Sequence, residues 1–420
     1  MKLLCTNFFL LALVAALPAQ DSLTTLAGQA LVSGTANGSG TNALFNDPAT
    51  VVADAGGNFF VADSQNHAIR KITAAGAVTT FAGQLGIAGT ANGSGTGAQF
   101  DAPSGLVFDP AGNLFVSDTG NQTIRKITPG GKVSTFAGVA GSDGFLDGAS
   151  GSALFNSPLG IVVSSNGTVF VADSGNHCIR KIFGGAVSTF AGNPQAWGSS
   201  DGTGTNAQFN SPCGLALDAQ GNLFVSDANN HTLRRITTNG IVTTFAGAPG
   251  QDGAADGDKA AARFRNPAEL AFDHKGNLLV ADSFNQTIRK ISTNGTVSTV
   301  CGAPGISGAA SGTNGAGRFF NPYGVAVAPD GSVVVTDAYN ELVRVVIVPF
   351  ELSLQISGAT HTATISWDAI SGKTYQVQFK ADLSAAWSNL GLPLTATNSN
   401  LQTSDGATGG LRVYRVLRVN

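Results

Sequence analysis

The tightest constraint on this chain is one phrase written six times. An Asp-x-x-Asn-x-x-aliphatic-Arg pattern starts at Asp63, Asp118, Asp173, Asp227, Asp282 and Asp337, at steps of 55, 55, 54, 55 and 55 residues. A period that regular marks an array of similar supersecondary units, each too small to bury a core alone. It also sets a rule for reading function. Residues present in every unit build the unit, so specific chemistry is to be sought where units differ.

One unit reads as an antiparallel meander. Phe45-Asn46-Asp47-Pro48 introduces a strand over 49–53, and Gly56-Gly57 turns it. Further strands are expected over 58–63, 67–73 and 77–82, with short turns between them. A Gly-rich connection then leads to the next Phe-x-x-Pro at Phe100. This entry recurs at Phe155, Phe209, Phe264 and Phe319, and the hairpin glycine at Gly112, Gly167, Gly221, Gly276 and Gly331.

The fourth strand recurs as Val-x-Thr-Phe-Ala-Gly in units one to four and as Val297-Ser-Thr-Val-Cys-Gly302 in the fifth. The sixth unit lacks it, and a matching piece, Leu23-Thr-Thr-Leu-Ala-Gly28, stands at the other end of the array. A ring of blades closes when the N-terminal strand pairs into the last blade, which removes exposed end blades. The expected fold is therefore all-β: a six-bladed propeller over 20–348, with strands from 22 onward. Residues 351–420 do not repeat. They suggest a small β-sandwich-like module of fibronectin size, with strands over 352–356, 362–367, 373–379 and 411–419 and a boundary at Val348-Pro349.

Composition agrees with this and excludes some functions. There are 55 Gly among 420 residues, 43% of the chain is hydrophobic and 12% is charged, which suits many tight turns and argues against disorder. Glu occurs only at 269, 341 and 351, so nearly all acids are turn-favouring Asp. A net charge of −3 with no basic block makes nucleic acid a poor partner. Lys2, the apolar run from Phe8 to Leu17 and Leu17-Pro18-Ala19 read as a signal peptide over 1–19, cleaved before Gln20. The expected location is secreted or extracytoplasmic, with no membrane span in the mature chain. Cys178, Cys213 and Cys301 are too few and too scattered for a disulfide framework or a zinc cluster.

The unit Pro103-x-Gly105-Leu106…Gly112-Asn113-Leu-Phe-Val-x-Asp118-x-x-Asn121-x-x-Ile124-Arg125-Lys126-Ile127 resembles the NHL repeat family. The resemblance covers about three quarters of the chain. It implies a six-bladed propeller, most often a binding scaffold and in some members a lyase or lactonase.

The repeated Asp residues, with Asn66, Asn121, Asn176, Asn230, Asn285 and Asn340, read as a side-chain-capped turn in which Asn takes a left-handed conformation. The Arg of each repeat can return to the Asp as a bidentate pair. His67, His177 and His231 share a repeat slot with Gln122 and Gln286, and their blades are too far apart for one zinc site.

In amidating lyases of this shape, the resemblance places zinc histidines just after the entry Pro. Here those places hold Ala49, Ser104, Leu159, Cys213, Ala268 and Tyr323. Lactonase-like members hold an axial divalent metal with carboxylate ligands, and Glu269, where four other units have Gly, approaches that pattern. Asp252, Asp256 and Asp258 form a second weak metal candidate. No cofactor is expected; the alternative is one calcium or zinc ion.

The long connections, on the face of the second turns, are the expected recognition surface. Their non-repeated large residues near that face are Phe145, Trp197, Arg263, Phe320 and Tyr323, with Glu269 at the channel mouth. The expected function is an exported, non-enzymatic scaffold for a protein or carbohydrate. The alternative is a metal-dependent lyase or lactone hydrolase at the axis. Trp367, Tyr375, Trp387 and Tyr414 are read as core of the C-terminal module rather than a sugar platform.

Overall fold

In the computed structural model, the described residues are 22–347 except 195 and 314, together with 352–357, 362–369, 374–380, 384–397, 400–406 and 413–418. The signal-peptide and Val348-Pro349 assignments lie outside them. Contacts divide the chain into Ser22–Ile347 and a second unit that takes in the C-terminal segment.

Ser22–Ile347 is a six-bladed propeller. Blade 1 is Pro48–Ala53, Phe59–Asp63, Ala68–Ile72 and Ala77–Ala82, in antiparallel order from the axis outward. Blades 2 to 5 begin at Pro103, Pro158, Pro212 and Pro267 and repeat that order. Blade 6 takes Pro322–Val327, Val333–Asp337 and Leu342–Ile347 from one end of the array and Ser22–Ala27 from the other. Ser22 faces Ile347 and Ala27 faces Val343, so the N-terminal strand closes the ring.

The sheets have five strands, one more than expected. The middle of each inter-blade connection contributes two residues that pair with the fourth strand of the blade ahead: Gly38–Ser39, Gly93–Ser94, Gly148–Ala149, Gly202–Thr203, Gly257–Asp258 and Gly312–Thr313. The connections therefore do not lie wholly on one face. The Gly40 N–H reaches the carbonyl of Gly76, in the third turn, at the opposite end of the blade from the second turn. This rim strand covers one end of the sheet edge that a four-stranded blade would leave open, two residues of the fourth strand in each blade.

The core lies between blades rather than within them. Ala49, Phe60, Ala62 and Ile69 of blade 1 pack with Phe100, Leu106, Leu114 and Val116 of blade 2, and similar clusters follow round the ring. Burying about 100 Å² of apolar surface contributes roughly 2.5 kcal/mol, so each blade is stabilised mainly by its neighbours.

The inner strands approach one another closely. A Cβ on Gly105, Gly160 or Gly214 would sit 2.1, 2.2 or 2.4 Å from a carbonyl oxygen of the next blade, which fixes Gly at these places. Each inner strand also bulges just after its Pro, as at Pro48/Val51, so the two residues at the bulge leave the regular alternation.

The C-terminal unit contains two sheets. Leu352–Ser357, Thr362–Asp368 and Asn400–Asp405 form one; Thr374–Lys380 pairs with Ser388–Asn389, Leu394–Thr395 and Val413–Arg418 in the other. Trp367, Tyr375 and Tyr414 are buried with Ile365, Val377 and Val416 as its core. Trp387 is half-buried, with the Lys380 ammonium 5.2 Å from its ring centroid.

Candidate functional site

The repeated Asp, Asn and Arg form a buried structural knot. Asp63 Oδ1 accepts the Asn46 N–H at 2.8 Å, and Oδ2 accepts from Asn66 Nδ2 at 2.8 Å and Arg70 Nη1 at 2.6 Å. The pairing is thus through one guanidinium nitrogen, not bidentate. Arg70 Nη2 turns instead to the incoming connection, donating to Ala36 O at 2.9 Å and Asn37 Oδ1 at 2.8 Å. The guanidinium also covers the Phe45 ring, 5.3 Å from its centroid, which explains the entry Phe. The knot recurs in all six blades. Burial pushes each of the six carboxyls up to about 6 against the pull of Asn, backbone and Arg donors, so all are ionised at neutral pH. The carboxylates and the Nη atoms are thus taken up by the fold, while the Nε of each of the six Arg is buried without a hydrogen-bond partner.

The left-handed residue of the second turn is not Asn but the one after it. His67, Gln122, His177, His231, Gln286 and Glu341 have φ between 53° and 62°. Each uses its side chain to accept a backbone N–H of the next blade. His67 Nδ1 takes Ala102 at 3.1 Å, Gln122 Oε1 takes Ser157 at 2.6 Å and His177 Nδ1 takes Ser211 at 3.1 Å. His231 Nδ1 takes Asn266 at 3.2 Å, Gln286 Oε1 takes Asn321 at 2.6 Å and Glu341 Oε2 takes Asp47 at 2.6 Å. The three histidines are inter-blade latches, with Nδ1 unprotonated to accept.

The bulges bring the non-repeated inner-strand residues together at the axis. Cys213 Sγ lies 3.2 Å from Tyr323 Oη, and Ser104 also hydrogen-bonds Tyr323. Glu269 is 7% exposed, and its carboxyl accepts backbone N–H groups of Leu270 and Leu215 and, at 3.4 Å, the Thr50 hydroxyl. Burial pushes Glu269 up to about 7 and the Cys213 thiol up to about 12. Glu269, which is buried, and Tyr323, which is partly buried against Cys213, therefore lie at the axial inner strands and not on the exposed loop surface. Chemically, this region offers one carboxyl near its midpoint at neutral pH, a protonated thiol and a phenol.

Among the described residues, no three His, Cys, Asp or Glu side chains converge as metal ligands. Asp256 instead pairs with the buried Arg289 at 2.7 Å, Asp252 with Arg265 at 3.2 Å, and Asp258 accepts the Ala260 N–H at 3.0 Å. The three Asp of that connection point to three different partners.

The remaining named residues are at the surface. Trp197 is 67% exposed, and Phe145 lies over Arg180 at 4.7 Å. Arg263 folds back on the carbonyls of Ala260, Ala261 and Ala262 and on Gln251. Phe320 is 36% exposed and meets Tyr339, itself 49% exposed, edge to face at 5.2 Å. Tyr339 and Phe284, 48% exposed, occupy the centres of second turns. Both were missed in the sequence, although Gln65, Gly120, Gly175 and Asn229 in the same slot set them apart.

The family model for the NHL repeat matches residues 45–72, 100–127, 155–182 and 209–236, which lie in blades 1 to 4 and contain the Asp, Asn and Arg of their knots. The chain is an NHL repeat protein. It is 30% identical over 288 residues to human NHL repeat-containing protein 2, a match covering 59% of this chain and 39% of that protein. The chain thus spans about two fifths of the length of that relative. Among solved structures, it is similar to an auxiliary nutrient binding protein from Bacteroides thetaiotaomicron, with a TM-score of 0.59 at 13% identity over 78% of this chain and 76% of that one. It is also similar to a gluconolactonase from Xanthomonas campestris, with a TM-score of 0.51 at 14% identity over 80% and 94%. At these identities the likeness is one of fold.

Proposed function

We propose that the protein is an exported, non-enzymatic scaffold that recognises a protein or carbohydrate through the face carrying its second turns and inter-blade loops. One contrast carries this reading. At the axis Cys213 and Glu269 are buried and Tyr323 is engaged by Cys213, whereas Trp197, Phe284, Phe320 and Tyr339 stand exposed at positions the repeat does not require. Rigid rings presenting variable aromatic side chains suit recognition. The neighbouring nutrient binding protein is consistent with a binding role for this shape of molecule.

The test compares the wild type with a Trp197→Ser, Phe320→Ser, Tyr339→Ser variant on glycan and exported-protein arrays. Loss of specific signals with melting temperature unchanged supports the reading; an identical binding pattern overturns it. Recovery of an exported chain beginning at Gln20 tests the location.

The second reading is a metal-dependent lyase or lactone hydrolase centred on Glu269. The observation in its favour is a single axial carboxyl held near 7. About one equivalent of zinc or calcium after dialysis, lost in Glu269→Ala, would bring it to the front.

A further inference from the structure

The binding face is not uniform around the ring. The connections leading into blades 1 to 4 carry five Asp (47, 101, 143, 147 and 201) and no Lys or Arg. The connections into blades 5 and 6 carry Lys259, Arg263, Arg265 and Arg318 together with Asp252, Asp256 and Asp258, of which Asp252 pairs with Arg265 and Asp256 with the buried Arg289. Lys259 sits at the rim, where its backbone N–H pairs with Gly295 of the third turn, so the cations at the face are the three Arg. Arg263 and Arg318 donate to neutral loop carbonyls, which leaves their charge uncompensated. Arg265 pairs with Asp252, both about half-exposed.

Exposed apolar side chains share that side. Leu31 donates its N–H to the carbonyl of Asn340, next to Tyr339; Tyr339 meets Phe320; and the Asn321 N–H, beside Phe320, is latched by Gln286 of the turn that carries Phe284. Ile306 follows Gly305, whose N–H bonds Asn285. These links place the exposed Phe284, Ile306, Phe320, Tyr339 and Leu31 along blades 5 and 6 and the seam, with Phe320 and Tyr339 in ring contact. The corresponding turn centres in blades 2 to 4 are Gly120, Gly175 and Asn229.

Resting on the scaffold reading, we infer that the blade 5–6 side of this face docks an acidic polypeptide segment bearing aromatic or aliphatic side chains. Charge complementarity selects the acid, because Arg263 and Arg318 present charge held only by neutral acceptors, while Asp252 and Asp256 on the same side are already paired with Arg265 and Arg289. The apolar run selects polypeptide over polysaccharide. Phenyl and branched aliphatic groups at edge-to-face angles match apolar side chains better than the flat, hydroxyl-lined face of a sugar. Docking would bury the rings while the Arg side chains steer approach and fix register.

The experiment measures binding of the mature chain to three probes: a random copolymer of Glu and Tyr, one of Lys and Tyr, and alginate. Expected are binding to the Glu/Tyr polymer alone, weakening as salt rises, and a loss of about tenfold or more in each of Arg265→Ser and Tyr339→Ser that exceeds any loss in Trp197→Ser. Phe183→Ser, which changes an exposed ring beside the third turn of blade 3, is expected to leave binding unchanged. Equal capture of the Lys/Tyr polymer, or no capture of the Glu/Tyr polymer, overturns the inference. Alginate binding that Tyr339→Ser leaves intact overturns the polypeptide occupant while the scaffold reading stands. Loss in Trp197→Ser but not in Tyr339→Ser moves recognition to the other side of the ring with the same consequence. Melting curves of the variants exclude unfolding as the cause of any loss.

Discussion

Glu341 Oε2 accepts the backbone N–H of Asp47 at 2.6 Å, across the seam where the two ends of the repeat array meet, 294 positions apart in sequence. Five equivalent latches use a neutral His or Gln; the seam alone uses a carboxylate. Burial, with Asp47 and Asp63 nearby, pushes Glu341 up to about 6.

A folded pKa above the unfolded one has a definite sign. The contribution of Glu341 is fully present below pH about 4.5 and is lost as pH rises through about 6. At neutral pH its charge is a liability that the latch does not require. Glu341→Gln, which keeps the acceptor, is therefore expected to raise stability by about 1 kcal/mol at pH 7.5 and to leave it unchanged at pH 4, allowing for partial solvent screening. Glu341→Ala removes the acceptor and is expected to lower stability by about 1–2 kcal/mol. Denaturant titrations at the two pH values decide this, and a Gln variant weaker than wild type at pH 7.5 would contradict it.

Glu269 follows the same sign with a larger shift. Its carboxyl, raised to about 7 by burial, stabilises most below pH about 4.5, and that contribution disappears as pH rises through 7. Glu269→Gln is expected to flatten the alkaline decline and add on the order of 3 kcal/mol above pH 8. Melting temperature against pH for the two proteins is the measurement. Parallel curves would mean that the axial carboxyl is solvated more than its surroundings indicate.

What was legible in the sequence follows from the range of the interactions. The blades, their order and the closing strand rest on a repeated alternation of side chains, and Leu23-Thr-Thr-Leu-Ala-Gly28 advertised its place by matching five other copies. The rim strands were not legible. Gly38-Ser39 has no strand propensity, and it is extended only because Ala77 and Val78 are presented beside it. The latch was half legible. His and Gln were recognised as occupants of one slot, but their shared role as acceptors became apparent only when Glu341 joined them with the same geometry. At the axis, Glu269 was noticed for replacing Gly. Its burial, and the contact of Tyr323 with Cys213 from blade 4, depend on the curvature of the ring, which one linear chain does not display.

Closure can be tested at the N-terminal strand. Removing residues 22–27 strips blade 6 of its fourth strand, uncovers Gly312–Thr313 and takes away the buried Leu23 and Ala27. The expected effect is a loss on the order of 5 kcal/mol, with a new tendency to associate through the bare edge. Calorimetry with light scattering checks both, and a monomer melting like the full chain would show that the seam holds without the strand. Restoring a peptide of residues 20–28 in trans should recover part of the stability.

The Arg knots differ from blade to blade in a way that predicts a stabilising change. In blades 3, 4 and 5 the second guanidinium nitrogen meets Asp147, Asp201 and Asp256 at 2.6–2.8 Å. In blades 1 and 2 it meets the amide oxygens of Asn37 and Asn92, both at 2.8 Å. The acid has a further advantage in blades 3 and 5, where Asp147 and Asp256 use Oδ2 to accept the N–H of Thr189 and Thr299 at 3.0 Å. An amide nitrogen in that place cannot accept. Asn37→Asp and Asn92→Asp should therefore each add about 1 kcal/mol, an ion pair replacing a bond from the guanidinium to a neutral amide oxygen. The reverse change, Asp147→Asn, should remove a similar amount. Chemical denaturation at pH 7.5 measures all three, and the gain should shrink at high salt because these carboxylates stand about half-exposed, as Asp147 does at 42%. A destabilised Asn37→Asp would show that added charge beside the Asp63–Arg70 pair outweighs the stronger bond.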